Sequence, residues 1–65
     1  MIAENTKRII KDRGLKQNAV AIKAGYNPKT FNALINGKKI MRETDIYKIA
    51  IALDVTPNQL FNYQV

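Results

Sequence analysis

The most constraining stretch of the sequence is residues 25–38, GYNPKTFNALINGK, which predicts one short helix with its start and stop signals in place. The side-chain oxygen of Asn27 can accept a hydrogen bond from the free amides of a following helix. Proline comes next and fits the first helical position, where no amide is needed. The large apolar residues are spaced three and four apart and therefore share one buried face: Phe31, Leu34 and Ile35. Gly37 can adopt the left-handed conformation that ends a helix, so the helix spans residues 28–35.

A second short helix precedes this one, and only three residues separate the two. The segment QNAVAIKA predicts a helix over residues 17–24, with alanines that let another helix approach closely. Two short helices joined by so brief a turn containing glycine form a helix-turn-helix unit. Tyr26 in the turn either packs on the core, which we favour, or stacks on sugar-phosphate. The outer face of helix 28–35 carries amides, a hydroxyl and an ammonium, which suit base edges and phosphates.

The remaining apolar periodicity predicts three further helices and no strands of useful length. They cover residues 2–13, 44–53 and 57–62. In the first of them the isoleucines face inward, while Lys7 and Lys11 are expected in solvent. The last begins with a capping threonine followed by proline, and Leu60 and Phe61 are expected to anchor it. Five helices in one domain of residues 1–65 make a compact all-α bundle.

The composition narrows the possible functions. A formal charge of +6 and a pI near 9.9 favour a polyanionic partner, with a basic surface that only aids solubility as the alternative. The chain has no histidine and no cysteine, which argues against a structural zinc site, and its five carboxylates are scattered. We therefore expect no enzyme activity, no cofactor and no small-molecule substrate. The lack of cysteine and of a long apolar run or leader favours a cytoplasmic location and no membrane association.

The order and spacing of these features resemble the phage repressor and Cro type of helix-turn-helix DNA-binding domain, the XRE-like family of transcriptional regulators. The resemblance is carried by GLKQNAVAIKAGYNPKTFNALINGKK and by DIYKIAIALDVTPNQLF, and it covers about residues 5–61. It implies a lambda repressor-like fold. It also implies a sequence-specific regulator that binds double-stranded DNA, in this case a bacterial or phage-encoded repressor from a phage or mobile element.

The resemblance further implies which residues contact DNA. The bases would be read by the outer face of the recognition helix: Pro28, Lys29, Asn32 and Ala33. The DNA backbone would be held by residues around that helix: Lys16, Gln17, Asn27, Thr30, Asn36, Lys38 and Lys39. These side chains suit the roles, since lysine can donate to guanine, asparagine can pair with an adenine edge and alanine can touch a thymine methyl.

Several positions depart from the family pattern. Lys16 stands where many members have a capping serine or threonine, and its charge is unfavourable at a helix start unless a phosphate neutralises it. Pro28 replaces a polar residue in one base-reading position. Ile10 and Ile35 stand where many members have a buried arginine–glutamate pair, and an apolar pair can replace it without loss of stability. Asp54 replaces the glycine that commonly ends the fourth helix, which predicts a different turn geometry.

Dimerisation is the remaining expectation. One recognition helix reads about four or five base pairs, and the usual remedy is a two-fold dimer on a palindromic operator. The contact would use the region of the fifth helix: Val55, Pro57, Leu60, Phe61 and Tyr63. A patch this small predicts a weak homodimer that DNA strengthens. The alternative function is an antitoxin or other protein-interaction module with the same fold, although antitoxins usually carry an extra segment that wraps the toxin.

Overall fold

The computed structural model describes residues 2–63, and within them the chain is helical with no strand. The five helices are α1 (Ile2–Asp12), α2 (Gln17–Lys23), α3 (Pro28–Ile35), α4 (Glu43–Ala52) and α5 (Pro57–Phe61). The predicted all-α, five-helix fold class is confirmed. Each helix begins and ends within one residue of its predicted bounds. The predicted domain also includes residues 1, 64 and 65, which lie outside the described residues.

The core is built from the apolar faces that the helical spacing predicts. Its completely or almost completely buried side chains include Ile9, Ala21, Phe31, Leu34, Ile35, Ile49, Ala50, Leu53 and Leu60. Ile10 and Ile35 lie in the same cluster, as expected for an apolar pair in place of an ion pair. Leu60 anchors α5, but Phe61 beside it is 56% exposed, so the expectation that both anchor the helix is wrong for Phe61. Because α5 has only five residues and only Leu60 anchors it in the core, the side chain of Phe61 remains exposed.

The ends of α1 to α4 share one backbone geometry. Each is followed by a residue with a left-handed φ: Gly14 (65°), Gly25 (88°), Gly37 (74°) and Asp54 (56°). After α4, the amide of Val55 donates to the carbonyl of Ala50 over 2.9 Å and the amide of Asp54 donates to that of Ile51 over 3.1 Å. At the ends of α1, α2 and α3 the equivalent two amides, that of the left-handed glycine and that of the residue after it, donate to the equivalent two carbonyls. The expected different geometry at Asp54 is therefore wrong, because the helix end imposes the glycine-like conformation on an aspartate, which tolerates it better than most residues.

Helix α3 is held in place by its neighbours and by its cap. It packs against α1 and α2, while α5 packs against α1 and α4. Asn27 Oδ1 accepts a hydrogen bond from the amide of Lys29 over 2.8 Å, which confirms the predicted cap. None of the helices in residues 2–63 combines the length and the apolar composition that a membrane span requires.

Candidate nucleic-acid interface

Helix α3, the predicted recognition helix, has one buried face and one accessible face. Phe31, with the two other apolar residues of its stripe, is buried, whereas Lys29 and Asn32 are exposed. Pro28 and Ala33 are half-buried on the accessible side. The four predicted base-contacting residues are therefore all at least partly accessible, on a helix whose orientation the core fixes.

The predicted backbone-contacting residues that precede α3 or lie within it are all at least partly accessible. Lys16 directly precedes α2; it is exposed, and its side chain makes no capping hydrogen bond to that helix. The positive charge and the positive end of the helix dipole therefore lie together, which favours an anion there. Gln17 and Thr30 are half-buried, whereas Asn27, as the cap of α3, is exposed.

The turn after α3, at the C-terminal end of that helix, carries the remaining predicted backbone-contacting residues. Asn36, Lys38 and Lys39 are all exposed. The amide of Lys38 donates to the carbonyl of Ala33 over 2.9 Å, which fixes the start of this basic segment relative to α3. Two ammonium groups thus lie within four residues of the end of α3.

The sequence-based reasoning missed one residue at this end. Lys7 is exposed, as predicted, and in addition its Nζ donates to Asn36 Oδ1 over 2.9 Å, across from α1 to the end of α3. Asn36 Nδ2 in turn donates to the carbonyl of Asn32 over 2.8 Å. The sequence contained part of the signal: Lys7 is one turn before Ile10, and the family resemblance pairs Ile10 with Ile35, the neighbour of Asn36.

Tyr26 connects the turn before α3 to both the core and α4. Its ring lies 6.0 Å from that of Phe31 between centroids, so the favoured interpretation, packing on the core, is confirmed. Its hydroxyl donates to the carboxylate of Asp45, and Lys48 Nζ lies 5.3 Å from the ring centroid. Burial, followed by the hydrogen bond and the charge of Asp45, raises the pKa of Tyr26 well above its usual value. Tyr26 is therefore an uncharged link between α3 and α4.

The predicted dimer residues differ in burial and line different concavities. Leu60 is completely buried, so its side chain belongs to the core and its assignment to a dimer contact is corrected. Phe61 lines an apolar groove of about 400 Å³ together with Ile2, Ala3 and Met41, among others. Val55 and Tyr63 line a different, more polar concavity, and Pro57 is half-buried. The Tyr63 hydroxyl donates to Asp12 Oδ2 over 2.7 Å, which ties residue 63 to α1.

Comparison with known proteins agrees with this geometry. A family model described as the Cro/C1-type HTH DNA-binding domain matches residues 5–65, which is nearly the whole chain. No curated protein matches the chain closely enough to count as a relative. The family is typically non-enzymatic, and its function supports a DNA-binding regulator. The resemblance seen in the sequence is thus confirmed: the chain belongs to the Cro/C1-type helix-turn-helix DNA-binding domain family.

Proposed function

We propose that this protein is a sequence-specific transcriptional repressor of phage or mobile-element origin, acting in the bacterial cytoplasm on a palindromic operator. The observation that carries the proposal is the two-sided character of α3. Its apolar face is buried in the core, its other face presents the exposed Lys29 and Asn32, and the exposed Lys38 and Lys39 follow its C-terminal end. A helix held in this way can enter the major groove with its base-reading side chains in a fixed orientation.

The proposed contacts follow from the chemistry of each side chain. Lys29 donates to guanine O6 or N7, Asn32 pairs with the N6 and N7 edge of adenine, and Ala33 contacts a thymine methyl. Pro28 adds an apolar contact near the start of the helix. Asn27 Oδ1 already caps α3, so only its amide nitrogen remains for a phosphate.

The flanking residues supply affinity that does not depend on sequence. Lys16 and Gln17 bind phosphate at the start of α2, and Lys38 and Lys39 bind it beyond the end of α3. Thr30, which is half-buried, lies at the edge of this contact. Repression follows from occupancy of the operator, which excludes RNA polymerase and requires no chemistry.

The proposed dimer is weak in the free protein and is completed by DNA. It is supported by the exposure of Phe61 at the edge of an apolar groove that Ile2 and Met41 also line. Two copies on half-sites about one helical turn apart would read twice the sequence of a single domain.

The decisive experiment is selection of bound duplexes from a random DNA library, followed by a salt titration on the selected sequence. Enrichment of an inverted repeat that is bound at least a thousandfold more tightly than random DNA supports an operator-reading repressor. Recovery of no motif, with only steeply salt-dependent binding, contradicts it.

A protein-interaction module such as an antitoxin is the second candidate. It is supported by large apolar side chains on the surface, since Ile22, Ile40 and Ile51 are 67%, 80% and 76% exposed. Failure to recover a DNA motif would favour this function.

A further inference from the structure

The contact between Lys7 and Asn36 changes the expected role of both residues in DNA binding. Lys7 Nζ lies 2.9 Å from Asn36 Oδ1, so this amide oxygen faces a cation. One N–H of Asn36 Nδ2 is used on the carbonyl of Asn32. Asn36 therefore keeps one neutral N–H for a phosphate, whereas the ammonium of Lys7 keeps two N–H groups and its full charge. Charge-assisted hydrogen bonds are about twice as strong as neutral ones, so Lys7 is the better phosphate donor.

The position of Lys7 strengthens this assignment. On one side it shares a concavity of about 350 Å³ with Asn36 and Gly37, at the end of α3. On the other side it shares a concavity of about 460 Å³ with Lys11 and Gln17. Lys7 therefore lies between the two groups of residues proposed to hold the DNA backbone.

The charge of this second concavity suits an anion. Its charged lining consists of three cations and one carboxylate: Lys7, Arg8, Lys11 and Glu4. A DNA strand that touches both Gln17 and the turn after α3 passes along this net positive surface of α1.

We propose that Lys7 of α1 binds a backbone phosphate of the DNA, and that Asn36 acts as a positioning residue that holds the ammonium at the end of the recognition helix. Helix α1 is thereby a third contributor to the interface, beside the start of α2 and the turn after α3. This inference rests on the proposed DNA-binding function and adds a contact to it.

The first test compares Lys7→Gln with Lys23→Gln on one duplex over a range of salt concentrations. Lys23 is the matched control, because it is exposed and lies at the C-terminal end of α2, whereas Gln17 lies at the N-terminal end. Loss of one phosphate contact should reduce the slope of log K against log salt by about 0.9. It should also weaken binding about tenfold at fixed salt. Lys23→Gln should leave the slope unchanged, and Lys7→Arg should preserve it.

The second test is a double-mutant cycle with Asn36→Ala. If Asn36 acts by holding Lys7, its replacement weakens binding in the wild-type background and has little effect in Lys7→Gln. An equal loss in both backgrounds means that Asn36 contacts DNA independently of Lys7 and overturns its positioning role. Thermal unfolding of each variant checks that it is folded. If Asn36→Ala does not fold, the Lys7 variants alone still test the phosphate contact.

The failure of this inference is distinguishable from the failure of the proposed function. A wild-type protein that selects an operator, together with equal slopes for Lys7→Gln and Lys23→Gln, overturns only the role of Lys7. If the wild-type protein selects no motif but binds random duplex, the salt slopes of the Lys7→Gln and Lys23→Gln variants can be measured on that duplex instead. If the wild-type protein binds no duplex at all, both are wrong.

Discussion

The hydroxyl of Tyr26, in the turn before α3, donates a hydrogen bond to Oδ1 of Asp45, in the first turn of α4. The other oxygen of the same carboxylate accepts the amide of Arg42 over 2.9 Å, at the start of α4. The side chain of Asp45 therefore both stabilises the beginning of α4 and holds the turn that leads into α3. Since the ring of Tyr26 also packs on Phe31, this contact couples the orientation of α3 to α4 through the core.

Replacing Tyr26 by phenylalanine should separate the hydrogen bond from the ring packing. The variant keeps the contact with Phe31 but loses the bond to a charged carboxylate, so we expect the free energy of unfolding to fall by about 1–2 kcal/mol. For a domain of this size that lowers the melting temperature by roughly 4–8 °C per kcal/mol. Tyr47→Phe, at a 52% exposed position of α4, is the control and should leave the melting temperature unchanged. Equal effects of the two substitutions would show that the Tyr26 hydroxyl contributes nothing specific.

Asp45 should make the free energy of unfolding of the domain depend on pH in the acidic range. Burial alone raises the pKa of this carboxyl, but the hydrogen bonds from Tyr26 and Arg42 and the charges of Lys48 and Lys39 outweigh it, and the net pKa is lowered. The folded state therefore binds a proton less readily than the unfolded state. The stabilisation is complete above the ordinary carboxyl pKa of about 4 and is lost as the pH falls through the lower folded value.

The acid dependence can be measured by chemical denaturation between neutral and acidic pH. Asp45→Asn should be less stable than the wild type at neutral pH, and the difference should shrink as the pH falls below about 4. Tyr26→Phe should show a smaller change of the same sign, because the bond from Arg42 remains. A difference that stays constant with pH would rule out the carboxylate as its source.

Asp54→Gly should stabilise the protein. Asp54 has a φ of 56°, a conformation that costs an L-residue about 1–2 kcal/mol and less for aspartate. Glycine adopts it freely but loses more conformational freedom on folding. We expect a net gain of about 0.5–1 kcal/mol in the free energy of unfolding, measured by denaturant titration.

Gly14→Ala is the reverse control for this prediction. Gly14 has a φ of 65°, and a Cβ added there meets nothing within 4 Å, so only the backbone conformation opposes the substitution. The variant should lose about 1 kcal/mol. If both variants destabilise the protein, the aspartate at position 54 contributes a favourable interaction that glycine cannot replace.

Most of the fold could be predicted because its determinants are local. The cap at Asn27, the proline after it and the spacing of Phe31, Leu34 and Ile35 all act within one or two helical turns, and the structure has α3 over the predicted residues. The conformation at Asp54 could not be predicted in this way. Glycine is only the commonest residue at such a helix end, and the backbone bonds that close α4 impose the same geometry on aspartate.

The candidate interface was harder to predict than the fold, because it depends on contacts between helices distant in the sequence. The accessible face of α3 follows from its periodicity, but the bond from Lys7 to Asn36 joins residues 29 positions apart. Likewise, Leu60 and Phe61 are adjacent apolar residues of a very short helix, and periodicity alone does not say which one is buried. Packing against α1 and α4 decides it in favour of Leu60.

The free protein should be mainly monomeric at micromolar concentration. Within the predicted dimer region Leu60 is buried, and Val55 and Tyr63 line a different concavity from Phe61, so this region offers little apolar area for a stable dimer. Sedimentation velocity should therefore give a monomer, and DNA with two half-sites should bind two copies cooperatively. Phe61→Ser should reduce that cooperativity without changing the affinity for a single half-site. A tight dimer in the absence of DNA would contradict this prediction.

Lys29 and Lys38 should differ in how their loss affects DNA binding, although each removes one exposed ammonium group. Lys29 lies in the first turn of α3, where a side chain can reach a base edge, so Lys29→Ala should cost about 1–3 kcal/mol on the operator and relax discrimination at one base pair. Lys38 follows the end of α3, where we propose that it binds phosphate. Lys38→Ala should therefore weaken binding to all sequences alike and reduce the salt slope by about one. Titrating both variants on the operator and on duplexes with single base-pair changes distinguishes the two patterns. A uniform loss for both would mean that α3 does not present Lys29 to the bases.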